Sequence, residues 1–141
     1  MTQTTERWKE NTNAIAVRET IERLIEHGSH FHVDDLERIY HKDLKVIMID
    51  ERGDVTVADR AENMALFRSK RDSGVDPLST WAEFNYVEAG ETTGHVLVTR
   101  KMKLGDRPEK LVLSIDLVRE NDRWQVIREV VFVRPVDERL T

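Results

Sequence analysis

The second half of the chain consists of four long stretches in which apolar and polar residues alternate. They are LSTWAEFNYVEA, TGHVLVTRKMKL, KLVLSIDLVRE and RWQVIREVVFVR, separated by the short connections GET, GDRPE and ND. Alternation with a period of two is typical of β-strands that bury one face. Because such short connections join antiparallel neighbours, the pattern predicts a long, curved, mainly antiparallel sheet.

The first part of the chain predicts helices with a small hairpin between them. Apolar residues from Thr5 to Gly28 recur at helical spacings, and a short second helix follows, with Asp34 as its expected cap. Residues 44–58 predict a hairpin. A third helix begins at Asp59, where Glu62 completes a capping box. We therefore expect an α+β fold with three N-terminal helices packed on the sheet.

Composition limits the kind of protein that the chain encodes. Its 141 residues predict a single domain over 1–141, with 1–12 as a candidate loosely ordered extension. The absence of cysteine excludes disulfides and thiolate chemistry. The net charge is −5 and the basic runs are short, so we expect no nucleic-acid partner. Apolar runs are too short for a membrane span, so we expect no membrane partner and a cytoplasmic location.

The last two strands can be threaded from the connection between them. If Asn121–Asp122 is a two-residue turn, Leu117 faces Val126 and Ile115 faces Arg128. Arg128 then falls on the apolar face that the helices cover. The opposite face is expected to carry an apolar and polar mixture that suits the contact of a homodimer, with Leu97, Val112, Val118, Ile127 and Val131 among Thr99, Ser114 and Glu129.

Arg100 is expected on the same apolar face as Arg128, although the 105–109 loop leaves that register open. Buried arginine is rare unless it is paired. Either each arginine finds a carboxylate or reaches water at the open end of the sheet, or the two face a polar cavity. The carboxylate candidates are Asp50, Glu83 and Glu88.

The order of elements resembles the NTF2-like superfamily, whose fold is a cystatin-like cone. The segment ERLIEHGSHFHVDDLERIYHKDLKVIMID is similar to SnoaL-like and lumazine-binding-type members, with Tyr40, His41 and Asp43 leading the first strand. DRWQVIREVVFV is similar to their last strand through Trp124 and Ile127. The resemblance implies a pocket between the concave sheet face and the helices. Members with this fold include isomerases, cyclases, dehydratases, ligand binders and interaction modules.

The expected pocket combines helix, hairpin and sheet residues, with Arg128 as the group that fixes a ligand oxygen. Candidate catalytic groups are His41, which the resemblance favours, Asp50 and His32; each also has an ordinary structural explanation as a brace, turn or helix-end residue. The predicted lining is Tyr40, Met48, Phe67, Phe84, Tyr86, Arg100 and Arg128.

The stretch HGSHFHVDD holds His27, His30 and His32. Its spacing matches no common zinc motif, so we expect a histidine-rich helix end, no metal and no cofactor. Two hypotheses remain for the function. In the first, the cone binds a small, partly apolar molecule, with room for isomerase-, cyclase- or dehydratase-like proton transfer. In the second, the chain is a non-catalytic dimeric interaction module with a filled pocket.

Overall fold

The computed structural model describes residues 11–104 and 107–135. Most of the expected extension over 1–12 lies outside the described residues, as do positions 105 and 106 of the 105–109 loop. The helices and strands, in chain order, are α1 (Thr12–Ser29), α2 (Val33–Ile39), β1 (Tyr40–Ile49), β2 (Val55–Asp59), α3 (Arg60–Asp72), β3 (Ala82–Ala89), β4 (Thr93–Leu104), β5 (Arg107–Glu120) and β6 (Arg123–Pro135).

The strands form one six-stranded sheet in the order β2-β1-β6-β5-β4-β3. Neighbouring strands are antiparallel, except that β1 runs parallel to β6. The helices cover one face of this sheet, and the β1–β2 hairpin forms one edge. The predicted α+β architecture of three helices on a mainly antiparallel sheet is confirmed.

The helix ends follow local side-chain chemistry. Asn11 caps α1 by accepting hydrogen bonds from the backbone of Asn13 and Ala14. The predicted capping box of α3, formed by Asp59 and Glu62, is present. The expectation that Asp34 caps α2 is wrong, because the cap position belongs to His32, which makes no side-chain cap hydrogen bond.

The core lies where α1 and α2 pack against the concave face of the sheet. Ile21, Leu36 and Ile115 are almost fully inaccessible there. Where α1 crosses β4, a side chain at Gly94 would place its Cβ 2.8 Å from Cγ2 of Val17. None of the described helices is long and apolar enough to cross a membrane; the expected cytoplasmic location stays a prediction.

A β-bulge in β6 decides which side chains point into the cone. Asn121 and Asp122 adopt φ values of 53° and 58°, which suits a two-residue hairpin turn, and Leu117 pairs with Val126 as predicted. The register then shifts, so that Asp116 pairs with Arg128 and Ile115 with Glu129. The extra residue, Ile127, reverses the alternation that follows it.

The expected inward position of Arg128 is therefore wrong. Arg128 is exposed on the outer face of the sheet, whereas Glu129 is 6% exposed and lies on the helix side. Val131, also expected on the outer face, is buried with Glu129. Glu129 was not among the carboxylates expected to pair with a buried arginine, which were Asp50, Glu83 and Glu88.

A second irregularity reverses the face of Tyr86 in β3. Phe84 pairs with Val98, but Tyr86 pairs with Leu97 because the ladder shifts between Phe84 and Tyr86. Tyr86 is therefore 37% exposed on the outer face, and its expected place in the pocket is wrong. Asn85, the extra residue, accepts a hydrogen bond from the Thr99 hydroxyl at 2.7 Å.

Candidate binding cavity in the cone

A cavity of about 250 Å³ lies between the concave sheet face, α1 and α3. Most of its wall is aliphatic or aromatic. Met48 and Leu66 are 36% and 54% exposed, which places them at its mouth. The apolar lining is Ile21, Leu24, Ile25, Phe31, Val46, Met48, Leu66, Phe67, Leu78, Val98, Met102, Leu111, Leu113, Ile115 and Val131, and the other lining residues are Gly28, Ser29, Tyr40, Asn63, Lys70, Arg100 and Glu129.

Two polar atoms in this wall lack hydrogen-bond partners. Oε2 of Glu129 and Nδ2 of Asn63 are buried, and neither atom has a partner at full hydrogen-bond geometry within the described chain, although the Tyr40 hydroxyl lies close enough to both side chains to interact with them. Leaving a buried polar group unsatisfied costs about 1–3 kcal/mol, and more when the group is charged. Such atoms in a cavity wall mark a place where a ligand or water would be stabilised.

Burial raises the pKa of Glu129 to about 7, against the opposing effects of the nearby Tyr40 hydroxyl and Arg100 guanidinium. Desolvation disfavours the ionised carboxylate, and the two neighbours recover only part of that loss. Burial also raises the pKa of Tyr40, and the charge of Glu129 adds to this rise. Near neutral pH the cavity therefore holds a carboxyl group that exchanges its proton and a phenol that keeps its own.

Arg100 lines the cavity, but most of its hydrogen bonds go to the chain segment that precedes β3. Its Nε donates to the Trp81 carbonyl oxygen at 2.9 Å, and Nη2 donates to the Ser79 carbonyl oxygen at 2.6 Å. Nη2 also lies 3.3 Å from the Ser29 hydroxyl. Burial lowers the pKa of Arg100, while Glu129 opposes that change. Through these hydrogen bonds Arg100 connects residues 79–81 and the end of α1 to the sheet.

The structure brings part of the predicted pocket together. Tyr40, Met48, Phe67 and Arg100 all line the cavity. Phe84 points toward the helices, as expected, but packs beneath α1, where the Arg18 guanidinium lies 4.0 Å from the centre of its ring. As described above, Tyr86 and Arg128 point away from the cavity.

The candidate catalytic residues lie outside this cavity. His41 is buried at the start of β1, next to Tyr40, but its Nε2 lies 2.8 Å from Oε1 of Glu120 and its Nδ1 accepts a hydrogen bond from the Asp43 backbone. This arrangement puts the proton of neutral His41 on Nε2. Asp50 accepts hydrogen bonds from Arg52 and Asp54 in the β1–β2 turn. His32 lies beside His27 at the exposed α1–α2 junction.

Sequence reasoning missed Glu129 and Asn63. The apolar pair Val126 and Ile127 interrupts the alternation of the last strand, which is compatible with a bulge. The same pair also suits a strand buried on both faces, so it does not identify Glu129 uniquely. Asn63 lies between capping residue Glu62 and core residue Met64, and only the packing of α3 reveals that it faces the cavity.

Solved structures with the same architecture identify the fold. An NTF2-like protein of unknown function from Silicibacter pomeroyi DSS-3 has a TM-score of 0.68 and 15% identity, over 85% of this chain and 94% of that chain. One of unknown function from Shewanella baltica OS155 has a TM-score of 0.66 and 13% identity, over 86% and 93% of the two chains. A third, from Rhodospirillum rubrum ATCC 11170, is described as having unknown function in nutrient uptake.

The Rhodospirillum rubrum protein has a TM-score of 0.63 and 18% identity, over 84% of this chain and 98% of its own. This chain therefore has the NTF2-like fold, which the resemblance in its sequence implied. No protein-family model matches the chain, and no curated protein matches it. At these identities the likeness concerns the fold alone, and the SnoaL-like branch stays a prediction.

Proposed function

We propose that this protein binds a small, partly apolar molecule that carries a hydroxyl or carbonyl group in the cone cavity. The observation that carries the proposal is the pair of unsatisfied atoms, Glu129 Oε2 and Asn63 Nδ2, in an otherwise apolar wall. A ligand hydroxyl would donate to the carboxylate, and a ligand oxygen would accept from the amide. The apolar part of the ligand would fill the remaining volume.

The pKa of Glu129 supports a further step, in which the carboxyl group exchanges a proton with the bound molecule. A general acid or base is most effective when its pKa lies near the working pH, and that of Glu129 is about 7. The Tyr40 hydroxyl keeps its proton and hydrogen-bonds to Glu129, so it would hold the carboxyl group in position beside the ligand. Isomerase-, cyclase- and dehydratase-like reactions all use a group of this kind.

The cavity volume favours this function over an interaction module with a filled pocket. Its volume of about 250 Å³ lies slightly below the roughly 300–1,000 Å³ of drug-sized ligand sites, so it suits a smaller molecule. A filled cone would leave no such space, and would leave no reason to retain a buried carboxyl group whose desolvation destabilises the fold. Dimerisation does not compete with this function, because it would use the opposite face.

We also propose that the outer face of the sheet forms a homodimer contact. Cross-strand pairing aligns apolar side chains there: Val57 with Ile47, Ile47 with Val130, and Tyr86 with Leu97. Val57 is 55% exposed. A neighbouring row joins Ile49, Phe132 and Val112. Ser114 lies between Val130 and Leu97 in the first row, and such a largely apolar face with a few polar residues is typical of an interface.

The binding proposal can be tested with fragments of similar size and different polarity. We expect phenol and cyclohexanone to give stronger saturation-transfer NMR signals than toluene. Leu113→Phe, which fills the cavity, should abolish all three signals, whereas Val118→Phe on the other face of β5 should leave them unchanged. Asn63→Leu should weaken the oxygenated fragments selectively. Equal binding of toluene and phenol, or binding unaffected by Leu113→Phe, would contradict the proposal.

Proton transfer by Glu129 can be measured separately from ligand binding. Cyclohexanone held in the cavity in D₂O should exchange the hydrogens next to its carbonyl faster with the native protein than with Glu129→Gln. Equal exchange rates would remove the catalytic part of the proposal and leave the binding part intact.

A further inference from the structure

The junction between α1 and α2 brings two imidazoles and a carboxylate together. Nδ1 of His27 lies 2.9 Å from Nδ1 of His32 and 3.6 Å from Oδ2 of Asp35. One ligand-type atom from each of the three residues lies within 4.8 Å of the others. This group is separate from the cone cavity, and the proposed function does not use it.

Backbone hydrogen bonds hold the two histidines in this position. The His32 N–H donates to the His27 carbonyl oxygen at 2.9 Å, and the Phe31 N–H donates to the Gly28 carbonyl oxygen at 3.3 Å. This is the Schellman pattern that ends a helix. Phe31 takes the left-handed conformation that the pattern requires, with φ of 57°. Its side chain is 5% exposed, so packing holds the turn in place.

The two distances from His27 Nδ1 are close to the ligand spacing of a tetrahedral metal ion. Bonds of about 2.0–2.1 Å to nitrogen or oxygen separate two ligand atoms at the tetrahedral angle by roughly 3.3 Å. The observed separations of 2.9 and 3.6 Å lie on either side of this value. Two histidines and one carboxylate leave the fourth position to water or another ligand, as in many zinc sites.

A neighbouring residue already orients the carboxylate. Oδ1 of Asp35 accepts a hydrogen bond from Arg38 Nη1 at 3.2 Å, which leaves Oδ2 directed toward His27. Outer partners of this kind fix the direction of metal-ligating groups. His30 lies beside the cluster and stacks on His32, but its Nδ1 lies 2.9 Å from the Glu26 carbonyl oxygen.

We propose that His27, His32 and Asp35 form a zinc site that clamps the junction between α1 and α2. The residues between the two histidines include Gly28, Ser29 and Phe31, which line the cone cavity. The metal would therefore hold this part of the cavity wall in a single conformation. Neutral imidazole and carboxylate ligands suit Zn²⁺, and Co²⁺ serves as its spectroscopic substitute.

The test uses the full chain, free of any affinity tag and treated with a chelator. Calorimetric titration with Zn²⁺ should give one site per chain, and Co²⁺ should give visible absorption bands of tetrahedral intensity. Because each lost ligand weakens a three-residue site by more than about tenfold, His27→Gln and His32→Gln should each lose that binding. The matched control His30→Gln should retain it.

A second readout does not depend on spectroscopy. Zn²⁺ should raise the melting temperature of the native chain and of His30→Gln, but not that of the His27→Gln, His32→Gln double variant. The proposal is overturned if the native chain binds Zn²⁺ no better than the double variant. It is also overturned if His30→Gln weakens binding as much as His27→Gln does, because the metal would then lie on a different set of histidines.

Discussion

Ile115 of β5 lies directly opposite Glu129 of β6, which puts a carboxyl group in the middle of an apolar wall. The two side chains share the helix-facing side of the sheet, where Ile115 is 1% and Glu129 is 6% exposed. Burying a carboxyl group this deeply destabilises the folded chain unless the group stays protonated. Because the pairing buries Glu129, it determines both how the stability of the protein depends on pH and where the proposed proton exchange takes place.

The stability of the protein should fall as pH rises from about 4.5 to 7. The folded-state pKa of Glu129 is about 7 and its ordinary value is 4.5, so the folded state binds the extra proton within this window. The stabilisation that this proton provides is fully present below pH 4.5 and is lost above pH 7. The free energy of unfolding should differ by roughly 3 kcal/mol between the two limits. Urea unfolding at pH 5 and pH 8 measures most of this difference.

Glu129→Gln should remove that part of the pH dependence, because the amide does not titrate in this range. Glu83→Gln, at an exposed glutamate of β3, should leave the native profile as it is. If Glu129→Gln and the native chain show the same slope between pH 5 and pH 8, Glu129 is solvated and does not lie in the cavity wall.

Substitution by leucine should destabilise the protein at Arg100 but not at Arg128. Arg100→Leu removes the hydrogen bonds to Ser29, Ser79 and Trp81 and should lower the free energy of unfolding by about 2–4 kcal/mol. Arg128→Leu, on the exposed outer face, should change it by less than about 0.5 kcal/mol. Chemical denaturation of both variants gives the comparison, and equal losses would argue against the bulge in β6.

Gly94→Ala should destabilise the chain by about 1–3 kcal/mol, because the new methyl group would overlap Val17 of α1. Gly90→Ala is the matched control, since a Cβ there meets no atom within 4 Å. Adding Val17→Ala should recover part of the loss in a double-mutant cycle. Additive effects of the two substitutions would mean that α1 does not cross β4 at this point.

Leu97→Asp should produce monomers if the outer face forms the dimer. The carboxylate would lie on this largely apolar face, where Leu97 pairs with Tyr86, and a buried unpaired charge strongly disfavours association. Ile15→Asp, at a residue of α1 that is 36% exposed, is the control and should leave the mass unchanged. Light scattering at micromolar concentration reports both; a native chain that is already monomeric would end the dimer proposal.

Features set by local chemistry were predictable from the sequence. The Asp59 capping box and the Asn121–Asp122 turn depend on a few adjacent residues, and both are present. The same turn predicted that Leu117 faces Val126, and the two residues pair and are both buried. Each of these features follows from the residue types themselves, so no long-range contact was needed to predict it.

The faces of Tyr86, Arg128 and Glu129 were not predictable in the same way. One extra residue in a strand reverses every side chain beyond it, and the two bulges depend on how neighbouring strands pair. The contact between His27 and His32 depends on a left-handed residue, Phe31, where glycine is usual. Spacing rules for metal motifs do not include such a turn.

The burial of Glu129 in the cavity wall is tested most directly by an NMR titration of its carboxyl group in the native chain. Carbon-detected spectra of ¹³C-labelled protein would follow the side-chain carboxyl signal, assigned by its loss in Glu129→Gln. We expect a midpoint at about pH 7, because burial in the cavity wall raises the pKa of Glu129. A midpoint near the ordinary value of 4.5 would place the carboxylate in water, and would contradict both the β6 register and the proposed binding site.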